Sequence, residues 1–148
     1  MKPIFKRIVI ASDHAGYLLK ENLKEYAAER GVHLQDLGTH SQASVDYPDF
    51  AALVCQEISE GRADSGVLLC GTGIGISIAA NRFPGIRAAV CNDGVTSASL
   101  SRRHNNANVL CLGERLVGSE VARDCFHTFM MTSFEQEERH LRRLEKFR

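Results

Sequence analysis

The chain has 148 residues, of which 44% are hydrophobic and 24% charged. These proportions are those of folded proteins and exclude a disordered, collagen-like or coiled-coil chain. Eighteen basic and eighteen acidic residues give a formal net charge of zero, so we expect no nucleic-acid partner, because nucleic-acid binders carry a basic excess. With no long apolar run and no leader-like start, residues 1–148 are predicted to form one cytoplasmic domain with no membrane partner.

Five short apolar runs alternate with helical stretches along the chain. Continuous Val, Ile, Leu and Ala runs are typical of parallel strands covered by helices on both faces. The pattern predicts an α/β, Rossmann-like, doubly wound fold with a five-stranded parallel sheet. An extra C-terminal helix is expected within residues 135–148, with Leu141, Leu144 and Phe147 on one face. The five predicted strands are residues 7–12, 32–38, 65–70, 86–91 and 107–113.

Ligands of such folds bind in a crevice at the carboxyl ends of the strands. Polar residues gather at those positions: Asp13 and His14 follow the first strand, Cys70 ends the third, Asn92 follows the fourth and Arg115 follows the fifth. A carboxylate such as that of Asp13 can orient or charge a neighbouring imidazole. The carboxyl edge of the sheet is therefore the predicted site.

The other cysteines differ from Cys70 in their surroundings. The five are scattered and include no C-x-x-C pair, which disfavours a disulfide framework or a zinc site, so no metal is expected. The four that lie in apolar runs are expected to be small buried residues: Cys55, Cys91, Cys111 and Cys125.

Cys70 directly precedes a loop with glycine at positions 71, 73 and 75. Backbone N–H groups of such a loop can hold an anion or a developing oxyanion, and the start of a helix favours a cysteine thiolate that acts as base or nucleophile. The dinucleotide fingerprint is broken by Ile76, and no Gly-Lys-Ser/Thr follows, which disfavours NAD and ATP. A glycine turn needed only for packing is the alternative.

Two further groups of polar residues lie late in the chain. His104 and Asn105 occupy the turn before the fifth strand, where a turn without a catalytic role is equally compatible with the pattern. Arg139 and Arg143 are four residues apart on the predicted last helix, so both can reach one dianion, unless they are only solvated charges. The remaining histidines, expected at the surface or in packing, are His33, His40, His127 and His140.

Four long segments together resemble the ribose-5-phosphate isomerase B family: DHAG at 13–16, VDYPDFA at 45–51, CGTGIGISIAANRFPGIRAA at 70–89 and LSRRHNNANVLCLGERLVG at 100–118. The resemblance implies an enzyme of the pentose phosphate pathway that interconverts ribose 5-phosphate and ribulose 5-phosphate without a metal or organic cofactor. It also implies a homodimer, in some members a tetramer, with active sites between subunits. Allose 6-phosphate or galactose 6-phosphate as substrate, and a non-catalytic sugar-phosphate-binding module, are the alternatives.

The resemblance also implies roles for individual residues. Cys70 matches the catalytic base, His104 the residue that opens the sugar ring, and Asp13 or Thr72 would assist it. One branch of the family has a glutamate base at the position of Ile76, so here the base is expected to be the thiolate. The expected substrate-binding residues are His14, Tyr47, Gly71, Gly73, Gly75, Asn105, Arg115, Arg139 and Arg143.

Overall fold

A computed structural model describes residues 1–147, which contain one parallel five-stranded sheet. The strands lie in the order β2-β1-β3-β5-β4, and every neighbouring pair is parallel. This architecture confirms the predicted doubly wound α/β fold. The strands are β1 (Ile8–Ser12), β2 (Leu34–Asp36), β3 (Ser65–Cys70), β4 (Ala88–Val90) and β5 (Val109–Gly113).

Helices cover both faces of the sheet. One face packs against α2 and α3, and the opposite face packs against α1, α4 and α5. No helix within residues 1–147 is long and apolar enough to cross a membrane. The helices are α1 (Tyr17–Glu29), α2 (Tyr47–Ser59), α3 (Ile74–Ala80), α4 (Val95–Arg103), α5 (Ser119–Met131) and α6 (Glu138–Leu144).

The three central strands are buried along their whole length. Successive side chains of a strand point to opposite faces, so Leu68 and Cys70 of β3 join the core under α2 and α3, while Val67 and Leu69 join the core under α1 and α5. Both faces exclude water, and both sets of side chains must therefore be apolar. This double burial explains why the strands read as unbroken apolar runs.

The two edge strands are shorter than predicted. β2 pairs only through residues 34–36 with β1, and β4 only through residues 88–90 with β5. Each edge strand has hydrogen-bonding partners on one side alone, so the flanking apolar residues leave the ladder early. The predicted strands, residues 32–38 and 86–91, are therefore longer than the observed ones.

The predicted apolar face of the last helix is only partly confirmed. Leu141, Leu144 and Phe147 do line one surface groove, but Leu141 and Phe147 are exposed and the helix itself ends at Leu144. The buried residue of α6 is His140. The apolar side chains therefore face a groove and not the core of their own chain.

The direction of chain connection reverses between β1 and β3. From β1 the chain moves outward to β2, then returns past β1 to β3. Parallel sheets form a ligand crevice at such a reversal, outside the carboxyl ends of the two strands. The backbone N–H of Asp13 donates to the Leu69 carbonyl across this junction at 3.2 Å. Asp13 and Cys70 thus stand at the two sides of the crevice.

A buried ion pair supports the loop beside β1. Lys20 of α1 has no exposed surface, and its Nζ donates to both carboxylate oxygens of Asp36, at 2.6 and 2.7 Å, and to the Thr39 carbonyl at 2.6 Å. Burial acts to raise the pKa of Asp36, but the hydrogen bonds from Lys20 and Lys24 outweigh it and lower that pKa. The pair ties α1 to the loop that follows β2.

We predict that Asp36→Asn lowers the free energy of unfolding by about 3 kcal/mol. The buried Lys20 ammonium loses its two short contacts to a carboxylate and keeps only the exposed Glu21 carboxylate, 3.6 Å away. Arg62→Gln, which breaks an exposed pair with Glu57, should cost less than about 1 kcal/mol. Urea denaturation at neutral pH measures both.

The sign of the pH dependence gives a second check on Asp36. Its stabilising contribution is present above the ordinary pKa of 3.8 and is lost as the pH falls through the lower folded-state pKa. The Asn variant should lack this component of acid sensitivity. Equal stability losses for Asp36→Asn and Arg62→Gln would contradict the structural role of the pair.

Candidate active site

Cys70 ends β3 and is 4% exposed. The backbone N–H of Gly73 donates to its sulfur at 3.1 Å, and α3 begins at the next residue. Gly73 has a φ of +76°, and a Cβ there would lie 2.8 Å from the backbone of Leu112, so a side chain is excluded. An N–H donor therefore faces the sulfur at the point where α3 begins.

Asn92 holds this loop against the neighbouring one. Its side-chain N–H donates to the Thr72 carbonyl at 2.7 Å, and its side-chain oxygen accepts from the Gly113 N–H at 2.8 Å. The two loops also touch directly, since a Cβ on Gly113 would lie 2.3 Å from the Thr72 carbonyl carbon. The position of Asn92 after a strand placed it at the predicted edge, but neither a role in the site nor this bridging contact was predicted.

Three of the predicted site residues flank the loop. The Thr72 hydroxyl accepts from the Ile74 N–H at 3.1 Å, at the start of α3. The Tyr47 ring covers Gly75, where a Cβ would lie 2.7 Å from Tyr47 Cζ, and the Arg115 side chain covers Gly71. Tyr47 is 39% exposed. A hydroxyl, a phenol and a guanidinium therefore lie on or against the glycine loop that follows Cys70.

The Asp13 carboxylate bonds to the backbone and not to the His14 ring. Its Oδ1 accepts from the N–H groups of Ala15 and Gly16, at 2.9 and 3.1 Å, and so caps the short 3-10 turn over residues 14–16. The ring Nδ1 of His14 lies 3.2 Å from both the backbone nitrogen and the carbonyl oxygen of Val45. Both residues remain at the edge that carries Cys70.

His104 lies at the opposite edge of the sheet. The chain leaves the carboxyl end of β4, runs back through α4 and reaches His104 directly after Arg103. It then needs all of β5, residues 109–113, to return to the carboxyl edge. Five strand residues span roughly 13 Å at about 3.3 Å per step. A single chain therefore does not bring His104 and Cys70 together.

A second histidine packs against His104. The His104 and His140 rings are stacked with their centroids 4.4 Å apart, and each Nε2 lies near Glu135 Oε2, at 3.8 and 3.9 Å respectively. Arg103 Nε donates to the other Glu135 oxygen at 2.5 Å. Burial lowers the pKa of His140. His140 is one of the histidines predicted at the surface or in packing, and it is buried.

The remaining predicted residues lie on the His104 side. Arg139 and Arg143 are exposed on α6, and Arg139 Nε is 2.9 Å from a Glu137 oxygen. Beside them, Asn105 lines a groove of about 1030 Å³ between α6 and the edge strand β4. The predicted site is thus divided between two edges of the sheet. The His104 side holds His104, Asn105, Arg139 and Arg143, and the Cys70 side holds Asp13, His14, Tyr47, Cys70, the glycine loop, Thr72 and Arg115.

Known proteins match both the sequence and this fold. The Ribose/Galactose Isomerase family model matches residues 8–147. Ribose-5-phosphate isomerase B of Escherichia coli (strain K12) is 45% identical, over 95% of this chain and 93% of that protein. A crystal structure of a ribose 5-phosphate isomerase from Thermotoga maritima superposes with a TM-score of 0.92 at 51% identity, covering 95% of this chain and 96% of that one.

A further relative has a different name. D-erythrulose-4-phosphate isomerase 2 of Mycolicibacterium smegmatis is 39% identical, over 87% of this chain and 86% of that protein. The breadth of the family-model match and the identity to several relatives settle membership: the chain belongs to the Ribose/Galactose Isomerase family.

We predict that Asn92→Ala lowers the free energy of unfolding by about 1 to 3 kcal/mol, because the Thr72 carbonyl and the Gly113 N–H lose their shared partner. Asn105→Ala is the matched control: Asn105 is exposed, and its loss should change stability by less than about 0.5 kcal/mol. Thermal unfolding of both variants measures the difference. Equal melting temperatures would show that Asn92 does not hold the loops.

Proposed function

We propose that the protein is an aldose-ketose isomerase that interconverts ribose 5-phosphate and ribulose 5-phosphate, with residues 1–148 acting as one catalytic domain in the cytoplasm. The observation that carries the proposal is the Cys70 sulfur at the crevice between β1 and β3, held by the Gly73 N–H at 3.1 Å. The name of the family, Ribose/Galactose Isomerase, supports the reaction class. Five free cysteines suit a reducing compartment.

Isomerisation requires a base for a proton on the carbon beside a carbonyl. The Cys70 thiolate takes the proton from carbon 2 of the open-chain aldose, and the C–H electron pair forms the carbon 1–carbon 2 double bond of an enediolate. A proton then passes between the two oxygens, and the thiol returns its proton to carbon 1. No atom is gained or lost, and a base placed in this way contributes about 10² to 10⁴ in rate.

The other cysteines are poor candidates for this base. Burial raises the pKa of Cys55 and Cys91 to about 12 and that of Cys125 to about 11, and it raises the pKa of Cys111 well above its usual value. These four thiols stay protonated at neutral pH. They therefore serve as packing groups, and Cys70 is the thiol that a helix start and a backbone donor accompany.

The glycine loop supplies the site for the developing negative charge. The Gly73 N–H is directed at the sulfur and the Ile74 N–H at the Thr72 hydroxyl, and the N–H groups of Gly71, Thr72 and Gly75 face the enediolate oxygen in our proposal. A well-placed donor of this kind contributes roughly 3 kcal/mol to the transition state. His104 moves a proton between ring oxygen and hydroxyl, with Asp13 or Thr72 assisting, and so opens the furanose ring.

We propose that two copies of the chain complete each site as a homodimer. The Cys70 edge carries an exposed apolar patch that includes Leu53, Ile74 and Ile78, and the His104 edge carries the groove lined by Leu141 and Leu144. In a two-fold symmetric dimer the patch of each chain can pack in the groove of the other, so the same contact forms twice and covers both apolar surfaces.

Such a dimer would also bring the proposed phosphate-binding groups close together. It would set His104, Arg139 and Arg143 of one copy against Cys70 and Arg115 of the other. Guanidinium groups suit a phosphate dianion because they present planar sets of N–H donors. Holding the phosphate fixes the reacting carbons near the sulfur.

Several sugar phosphates are candidate substrates besides ribose 5-phosphate. One relative is named for D-erythrulose 4-phosphate, and allose 6-phosphate and galactose 6-phosphate are the other candidates. Turnover rates measured side by side on these sugars and ribose 5-phosphate rank the substrates. A sugar-phosphate-binding module without catalysis would bind one of them and release it without exchange of a proton with solvent.

We predict that Cys70→Ala slows isomerisation about 10³-fold, since the base is removed. The measurement is NMR of ribose 5-phosphate in heavy water, which reports ribulose 5-phosphate formation and deuterium uptake at carbons 1 and 2 together. Cys55→Ala is the matched control, a buried thiol whose loss should leave the rate within a few-fold of the parent. A Cys70→Ala enzyme with a rate near that of the parent would remove Cys70 as the base.

We predict that two inactive variants restore activity when mixed. In a dimer of one Cys70→Ala chain and one His104→Ala chain, one site lacks both residues and the other has both. Random re-pairing makes half of the dimers mixed, so about a quarter of the parent activity should return. Each variant re-paired with itself is the control. Absence of any recovery, with mixed dimers verified by mass spectrometry, would show that each site uses one chain only.

A further inference from the structure

The group formed by His104, Glu135 and His140, here termed the histidine cluster, has a feature that isomerisation does not use. The His140 side chain is 5% exposed, and its Nε2 has no hydrogen-bond partner within the described chain. A buried polar atom without a partner is uncommon in folded proteins. This nitrogen lies 3.9 Å from Glu135 Oε2, which in turn lies 3.8 Å from His104 Nε2.

The three side chains are of the types that bind zinc. Imidazole nitrogens and carboxylate oxygens are common Zn²⁺ ligands, at about 2.0 to 2.2 Å from the ion. In the histidine cluster one ligand atom from each residue lies within 4.8 Å of the other two. Ligand atoms around a tetrahedral ion lie about 3.4 Å apart at such bond lengths. The ligand atoms of the histidine cluster must therefore move on the order of 1 Å to bind one ion.

The cluster is able to make this movement. The stacked rings are nearly parallel, so one of them must turn for both nitrogens to aim at one ion. His104 is the member with room to turn, because its side chain is 37% exposed, whereas that of His140 is 5% exposed. Arg103 holds one oxygen of Glu135 and leaves the other facing the imidazoles. Three protein ligands and one open position are the arrangement of many exposed zinc sites.

We propose that His104, Glu135 and His140 bind a divalent transition-metal ion of the Zn²⁺ type, and that the bound ion inhibits isomerisation by engaging His104. The nearby Arg139 cation pairs with Glu137 at 2.9 Å, which moderates its repulsion of the ion. Binding is independent of the catalytic scheme, whereas inhibition rests on the proposed role of His104.

Binding is tested by calorimetric titration of Zn²⁺ into the full-length Cys70→Ala protein, in which the reactive sulfur cannot compete. We expect one ion per chain. His140→Phe keeps a stacked ring but removes the nitrogen, and Glu135→Gln keeps the side-chain shape. Each should weaken binding by at least about tenfold. His127→Ala, which removes an exposed histidine outside the cluster, should bind as the parent does.

Inhibition is tested with the cysteine restored. Zn²⁺ should lower the isomerase rate of the parent, a chelator should restore it, and Glu135→Gln should require at least about tenfold more Zn²⁺ for the same loss. The proposal is overturned if His140→Phe and Glu135→Gln bind Zn²⁺ within twofold of the parent, or if the bound ion leaves the rate unchanged. A parent without isomerase activity in the absence of zinc contradicts the proposed function, while the calorimetry still decides the metal site.

Discussion

The contact between two loops, residues 71–73 and 113–115, is the constraint on which the Cys70 site depends. The loops touch so closely that a methyl group on Gly113 would collide with the Thr72 backbone, and Asn92 joins them through one donor and one acceptor. Gly73 can direct its N–H at the sulfur only in this arrangement, with a left-handed backbone and no side chain. The chemistry of the sulfur is therefore set by packing between neighbouring strands and not by the cysteine alone.

The polarity of a parallel sheet determines where the other site residues lie. Every strand ends at one edge, and every helix returns the chain to the opposite edge, so Cys70 after a strand and His104 after a helix are necessarily apart. Each edge also carries apolar surface beside its polar groups. The separation of Cys70 from His104 within one chain is thus accompanied by exposed apolar surface at each edge.

Sequence patterns predicted the structural features that depend on residues close together in the chain. Unbroken apolar runs mark strands buried on both faces, and the position of Cys70 before a glycine loop follows directly from the order of residues. The edge strands were predicted too long because apolar composition does not show at which residue the hydrogen bonds to the neighbouring strand end. The stacking of His140 on His104 and the bridge made by Asn92 join distant segments, and such contacts depend on tertiary packing.

The division of polar groups between two edges has a consequence for a catalyst at low concentration. If every working site needs two chains, then dilution below the dissociation constant of the dimer lowers the fraction of chains that are in dimers and can catalyse the reaction. Specific activity would then rise with the amount of protein in the assay. In a cell, the level of expression would set both how many chains exist and what fraction of them can turn over substrate.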